Sequence, residues 1–193
     1  NYAPVNIGYT AGMETTLISA EWIQAINGMN KVIMISNHSK QSAEGSIYLT
    51  DNENDAPIKV QTDIEVVNYP TKVYETLPDV SLDLEYDTNF LAVAQWSPRK
   101  NIEHMLRWFV EEFQDDEVGL VLKTNLSKNC LMDREGCEGR LKSLLADLPK
   151  DRKCKVYMLH GDMSDAEMHS LYNHDKISAF VAIPHGEGYG LPI

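Results

Sequence analysis

The sequence is short of positive charge. Seventeen Lys and Arg stand against 29 Asp and Glu in 193 residues, a formal net charge of −12, so the broad basic surface that nucleic acid requires is missing. Apolar runs are short as well: Val32 to Ile35 and Phe180 to Ile183 are typical, far below the ~18 residues that cross a bilayer. Cysteine is scarce. Cys130, Cys137 and Cys154 are odd in number and spaced C-x6-C-x16-C, which fits neither a zinc pattern nor a secreted disulfide framework. They are expected to be reduced thiols of a cytoplasmic protein. No basic stretch leading into a hydrophobic core opens the chain, and its first residue is Asn1, so a retained signal peptide is not expected and the start reads as a cut. Core-forming residues, by contrast, are plentiful. With 43% hydrophobic and 24% charged residues the composition is that of a folding, globular chain.

From residue 90 onward, strand and helix patterns alternate. Phe90 to Gln95 is a buried-strand run, and Ile102, Met105, Leu106, Phe109, Val110 and Phe113 form a stripe that only a helix over Lys100 to Phe113 aligns. Val118 to Thr124 predicts a second strand. A polar loop holding cysteines and a helix over Arg140 to Leu148 follow, then a strand over Lys155 to Leu159. Ser164-Asp-Ala-Glu167 is a capping box that starts a helix running to about Asn173. Ala179 to Ile183 predicts the fourth strand. Strands joined by helical crossovers imply an α/β fold with a parallel sheet covered on both faces.

The first ~80 residues repeat the rhythm more weakly. Strands are expected over Val5 to Thr10 and Lys31 to Ile35, with strand-like runs over Ile58 to Val60 and Ile64 to Val67. A helix over Ser19 to Asn27 would put Trp22, Ile23 and Ile26 on one face and stop at Gly28; Ser36 and Asn37 would cap a second. The acidic stretch from Pro78 to Asn89 separates the halves. The expected organisation is two Rossmann-like domains over 1–80 and 90–193, joined by a linker at 81–89.

In open parallel sheets, ligands bind beyond the carboxyl ends of the strands, and two such junctions are unusual. In Gln95-Trp-Ser-Pro-Arg-Lys100, Ser97 is expected to cap a helix with Pro98 at its first position, which places Arg99 and Lys100 in the first turn. Cations there oppose the helix dipole, and a bound anion such as phosphate would reverse the sign. In Pro184-His-Gly-Glu-Gly-Tyr-Gly-Leu-Pro192, Gly186, Gly188 and Gly190 permit close backbone approach to a ligand around Glu187.

The segment His185-Gly-Glu-Gly-Tyr-Gly-Leu-Pro192 resembles the E-G-F-G-L-P signature of retaining glycosyltransferases of family 4, which have the GT-B fold of two facing Rossmann-like domains. Phe90 to Asn101 is similar to the start of that family's donor domain, and Val156 to Leu171 to its strand, loop and capped helix. Tyr9 to Glu14, Trp22 and Lys31 to Ser36 are similar to the last part of the acceptor-side domain. The resemblance implies a nucleotide-diphosphate sugar as donor and transfer with retention, with no metal and no cofactor. Lys100 would neutralise the diphosphate, and Glu187 would hold hydroxyls of the donor sugar. Arg99, Gly186, Gly188, Tyr189 and Gly190 would complete the donor site. Many members of that family have an arginine where Gln95 stands, so the resemblance implies either that Arg99 takes over its charge or that the site holds one fewer cation. The partner of Glu187 in the family's E-x7-E pair would be at position 195, beyond Ile193, so the chain reads as a fragment. An inactive nucleotide-sugar-binding module and a sugar-nucleotide epimerase of the same fold are the alternatives. The resemblance leaves the acceptor open among sugars, lipid-linked molecules and small molecules, and it leaves peripheral membrane association open as well.

Four further residues follow strands and are expected to line a cleft: Glu14 and His38 in the first half, His160 and His185 in the second. Met158, Met163 and Met168 read as core or gap-filling side chains.

Overall fold

In a computed structural model that describes residues 3–12, 14–50, 55–187, 190 and 192, the chain forms two units. One is built on residues up to Lys72 with Glu187 and Gly190, the other on Val73 to Gly186 with Pro192.

The first unit contains β1 (Ile7–Thr10), α1 (Ala20–Asn27), β2 (Lys31–Met34), α2 (Asn37–Gly45) and β3 (Ile64–Val66). All three strands are parallel in the order β1-β2-β3. Ile23 and Ile26 of α1 pack with Ile18, Val32, Met34, Ala43 and Ile64. Trp22, expected on the same face, is 37% exposed and flanks the stripe instead. Ser36 caps α2 by accepting the Ser39 amide. Among the described residues the run at Ile58 joins no sheet, and Ile58 makes an isolated antiparallel bridge with Tyr48.

The second unit contains β4 (Asn89–Val93), α3 (Ile102–Phe113), β5 (Gly119–Lys123), α4 (Leu131–Ala146), β6 (Lys155–Leu159), α5 (Asp165–Tyr172) and β7 (Ile177–Phe180). Its sheet is parallel throughout, in the order β6-β5-β4-β7. Alternation along the strands divides the core. Ala92, Leu120 and Leu122 face one layer with Ile102, Met105, Leu106, Phe109 and Val110 of α3 and Leu141 and Leu144 of α4. Leu91 and Val121 face the other with Leu171 of α5. Each such leucine, fully buried, contributes about 1.5–3 kcal/mol. Leu82 and Leu84 pack into this second layer, and Pro78 accepts the Ser170 hydroxyl at 2.6 Å, so the acidic stretch expected between the halves is integrated into the second unit.

Two boundaries differ from the sequence pattern in ways that matter below. Helix α4 begins at Leu131 rather than near Arg140, which puts Cys137 inside a helix. Strand β7 ends at Phe180, three residues before the expected end. Its pairing with β4 shifts register at Asn89 and Phe90, and Val181 still donates to Leu91 at 2.8 Å before the chain leaves the sheet.

Candidate functional site

The strand order reverses at β4: β5 and β6 are added on one side, and β7 returns to the other. The crevice beyond the carboxyl ends of β4 and β7 is thus a topological switch point, where ligands of such sheets bind. Both unusual junctions lie there. His185 donates its amide to the Arg99 carbonyl at 2.9 Å, Arg99 Nη1 donates to the Gly186 carbonyl at 2.6 Å, and Asn101 Nδ2 donates to the Ile183 carbonyl at 3.0 Å.

The first junction is not the helix start that its sequence suggested. Pro98–Lys100 form a 3-10 turn, and Ser97 makes no side-chain capping bond. Asn101 then adopts φ 54°, ψ 32° and precedes α3 as its N-cap. Asparagine tolerates this left-handed conformation better than most residues, and its side chain is held at both ends, by Ile183 and by a 2.7 Å contact with His104 Nδ1. Arg99 and Lys100 therefore sit ahead of α3 rather than in its first turn.

A cleft of about 320 Å³ opens beside this turn. It is lined by Gln95 and Lys100 after β4, by Lys123, Thr124, Asn125 and Asn129 at and after β5, and by Gly161, Asp162 and Met163 after β6. Lys100 is where the sequence placed it. Lys123 was not anticipated, although a lysine closing a buried strand run is a strand-end signal. Burial pushes its ammonium below the ordinary lysine range, opposed in part by Asp162. The ammonium donates to the Gly161 carbonyl. Met163 and Met168 both line the cleft and pack against the core.

The remaining expected residues are distributed unevenly. Among the described residues lining the cleft Arg99 does not appear, and its guanidinium grips Gly186 instead. Glu187 is half-buried and Gly190 buried, with φ +77° at Gly190; Gly188 and Tyr189 lie outside the described residues. His185 is exposed and lines a separate cavity of about 270 Å³ with Trp96, Ile102, His104 and Arg140. Glu14 and His38 are exposed after β1 and β2. His160 does not line the cleft: its side chain is 5% exposed and meets Asp133 at 2.9 Å.

All three cysteines are free, Cys130 exposed and the others buried. Burial pushes the Cys137 and Cys154 thiols up, which suits inert structural thiols. Asp133, Cys137 and His160 bring one possible metal ligand each within 4.8 Å of one another. Asp133 Oδ1 takes the Leu126 amide and His160, and Oδ2 takes the amides of Ser127 and Lys128, so the carboxylate is occupied by loop donors. No protein-family model matches the chain, and no curated protein matches it.

Proposed function

We propose that the chain acts in a retaining glycosyltransferase, with the diphosphate of a nucleotide-sugar donor held in the cleft beyond the carboxyl ends of β4, β5 and β6 in the second unit. The carrying observation is the meeting of Lys100 and Lys123 on one cleft wall set in a protein of net charge −12. Lys100 and Lys123 line this cleft with a single carboxylate, Asp162, among the described lining residues, and a diphosphate is the dianionic group that the two ammonium groups suit. In place of the arginine that relatives have at Gln95, Lys123 supplies the second charge, from the neighbouring strand. Departure of a nucleoside diphosphate concentrates negative charge, which fixed cations stabilise; one preorganised donor of this kind is typically worth about 3–4 kcal/mol in the transition state. Glu187, from the glutamate-glycine signature, is the group proposed to hold hydroxyls of the donor sugar.

Calorimetric titration of UDP, GDP and ADP against the protein, Lys100→Ala and Lys123→Ala tests the reading. Binding of one nucleotide is expected, weakened at least about tenfold by either substitution, as loss of a charge-assisted contact requires. Absence of all nucleotide binding, or undiminished binding in both variants, overturns it. Incubation of the bound nucleotide's sugar with candidate acceptors then separates transfer from epimerisation of the donor.

A further inference from the structure

Asp133 stands at the third position of α4, whose N-cap Cys130 provides no side-chain capping bond. Its side chain is 5% exposed, yet it reaches back out of the helix and gathers three successive amides, from Leu126 at 2.8 Å, Ser127 at 2.8 Å and Lys128 at 2.9 Å. His160 Nε2 adds a fourth contact at 2.9 Å, and Cys137 Sγ a longer one at 3.7 Å. An ionised carboxylate only accepts, so the imidazole donates. The residues on either side of these contacts are the cleft walls. Asn125 and Asn129 bracket the three captured amides, and Gly161, acceptor of the Lys123 ammonium, directly follows His160.

We propose that Asp133 and His160 are positioning residues of the cleft, which clamp the loop after β5 to the loop after β6 and so set Asn125, Asn129 and Gly161 for a nucleoside diphosphate. The assignment rests on the nucleotide reading of the cleft. Both loops meet on one buried carboxylate, and among the described residues no other acceptor takes the Leu126, Ser127 and Lys128 amides. Without it three amides lose their acceptor together and the loop must turn towards water. The lysines come from the turn before α3 and from β5 itself, so their charge survives the loss of the clamp.

The test compares the protein with Asp133→Asn, His160→Leu and His160→Gln, titrating the nucleoside diphosphate that binds best and, separately, inorganic pyrophosphate. Affinity for pyrophosphate is expected to stay within about twofold, while nucleoside diphosphate affinity falls about tenfold or more in Asp133→Asn and His160→Leu, the size expected for a lost hydrogen bond to a charged group. His160→Gln, which retains an N–H donor, is expected to recover most of that loss. Folded variants that bind the nucleoside diphosphate as tightly as the parent overturn the proposal. Amide hydrogen exchange supplies a second measurement on the unaltered protein: protection of Leu126, Ser127 and Lys128 is expected, and exchange at open-loop rates overturns the clamp even where a variant does not fold. If the parent binds neither nucleotide nor pyrophosphate, the donor reading fails, and the exchange result still decides the clamp.

Discussion

Arg99 Nη1 donates to the Gly186 carbonyl at 2.6 Å, joining residues 87 apart in the chain. This bond ties the turn after β4 to the segment after β7 and gives Arg99 a different task from Lys100, its neighbour in sequence. Arg99 is exposed and holds backbone, whereas Lys100 lines the cleft.

Arg99→Ala is accordingly expected to lower stability by about 1 kcal/mol, the ordinary net worth of one hydrogen bond, in urea unfolding. Its effect on diphosphate affinity should be smaller than that of Lys100→Ala. Equal losses in the two variants would return Arg99 to the binding machinery.

Lys123 predicts a pH dependence. Burial lowers its pKa, so as pH rises the ammonium loses its proton before an ordinary lysine, at about 10.4, does. Only the protonated form attracts a diphosphate, and affinity should therefore weaken with rising pH earlier than an ordinary lysine would cause. Calorimetry across the alkaline range, repeated on Lys123→Met, checks this: the substituted protein should lose the early part of the decline.

Leu122→Ala should destabilise the second unit by about 2–5 kcal/mol, as for other fully buried leucines cut to alanine. Leu122 is 0% exposed between the sheet and its helices. Leu131→Ala, at a side chain 70% exposed, serves as the control and should cost within about 0.5 kcal/mol. Denaturant midpoints at unchanged slope distinguish the two.

Acid should act through Asp133. Burial alone would raise its carboxyl, but the amides of Lys128 and Leu126, His160 and the Ser127 amide outweigh it and hold the group well below the usual carboxylate range. A folded pKa beneath the unfolded one contributes stability that is complete above the unfolded value, about 3.9, and is lost as pH falls towards the folded one. Glu167, lowered first by the Ser164 amide and then by its hydroxyl, adds in the same direction. Urea midpoints should thus decline below about pH 4, and less steeply in Asp133→Asn than in the parent.

The element pattern of the second half was largely legible in sequence because its signals are local. The α3 stripe emerges as the buried face Ile102, Met105, Leu106, Phe109 and Val110. Ser164 and Glu167 close a capping box in which each bonds the other's backbone. Helix α4 was half missed because Leu131 and Met132 are exposed and its early turns carry little apolar periodicity. That error hid Asp133, whose position three residues after the N-cap becomes visible only once the helix is known to start at Leu131. Ser97 misled for the opposite reason: Ser-Pro is a good local helix start, but Asn101 is anchored to Ile183, 82 residues away, and moves the start beyond Lys100.

Hydrophobic periodicity, caps and turn chemistry are properties of neighbouring residues, so the order of strands and helices, the parallel α/β class and the two strand-end junctions followed from the chain read in line. Which strand ends meet is a matter of sheet order, and sheet order follows from how the crossovers pack on the two faces. That packing returned β7 to the side of β4 opposite β5, brought Arg99 to Gly186, set Lys123 on the cleft lined by Lys100, and turned His160 away from the cleft onto Asp133. Each of these is a contact across 23 residues or more, or a choice between burial and solvent, for which local sequence carries no energy term.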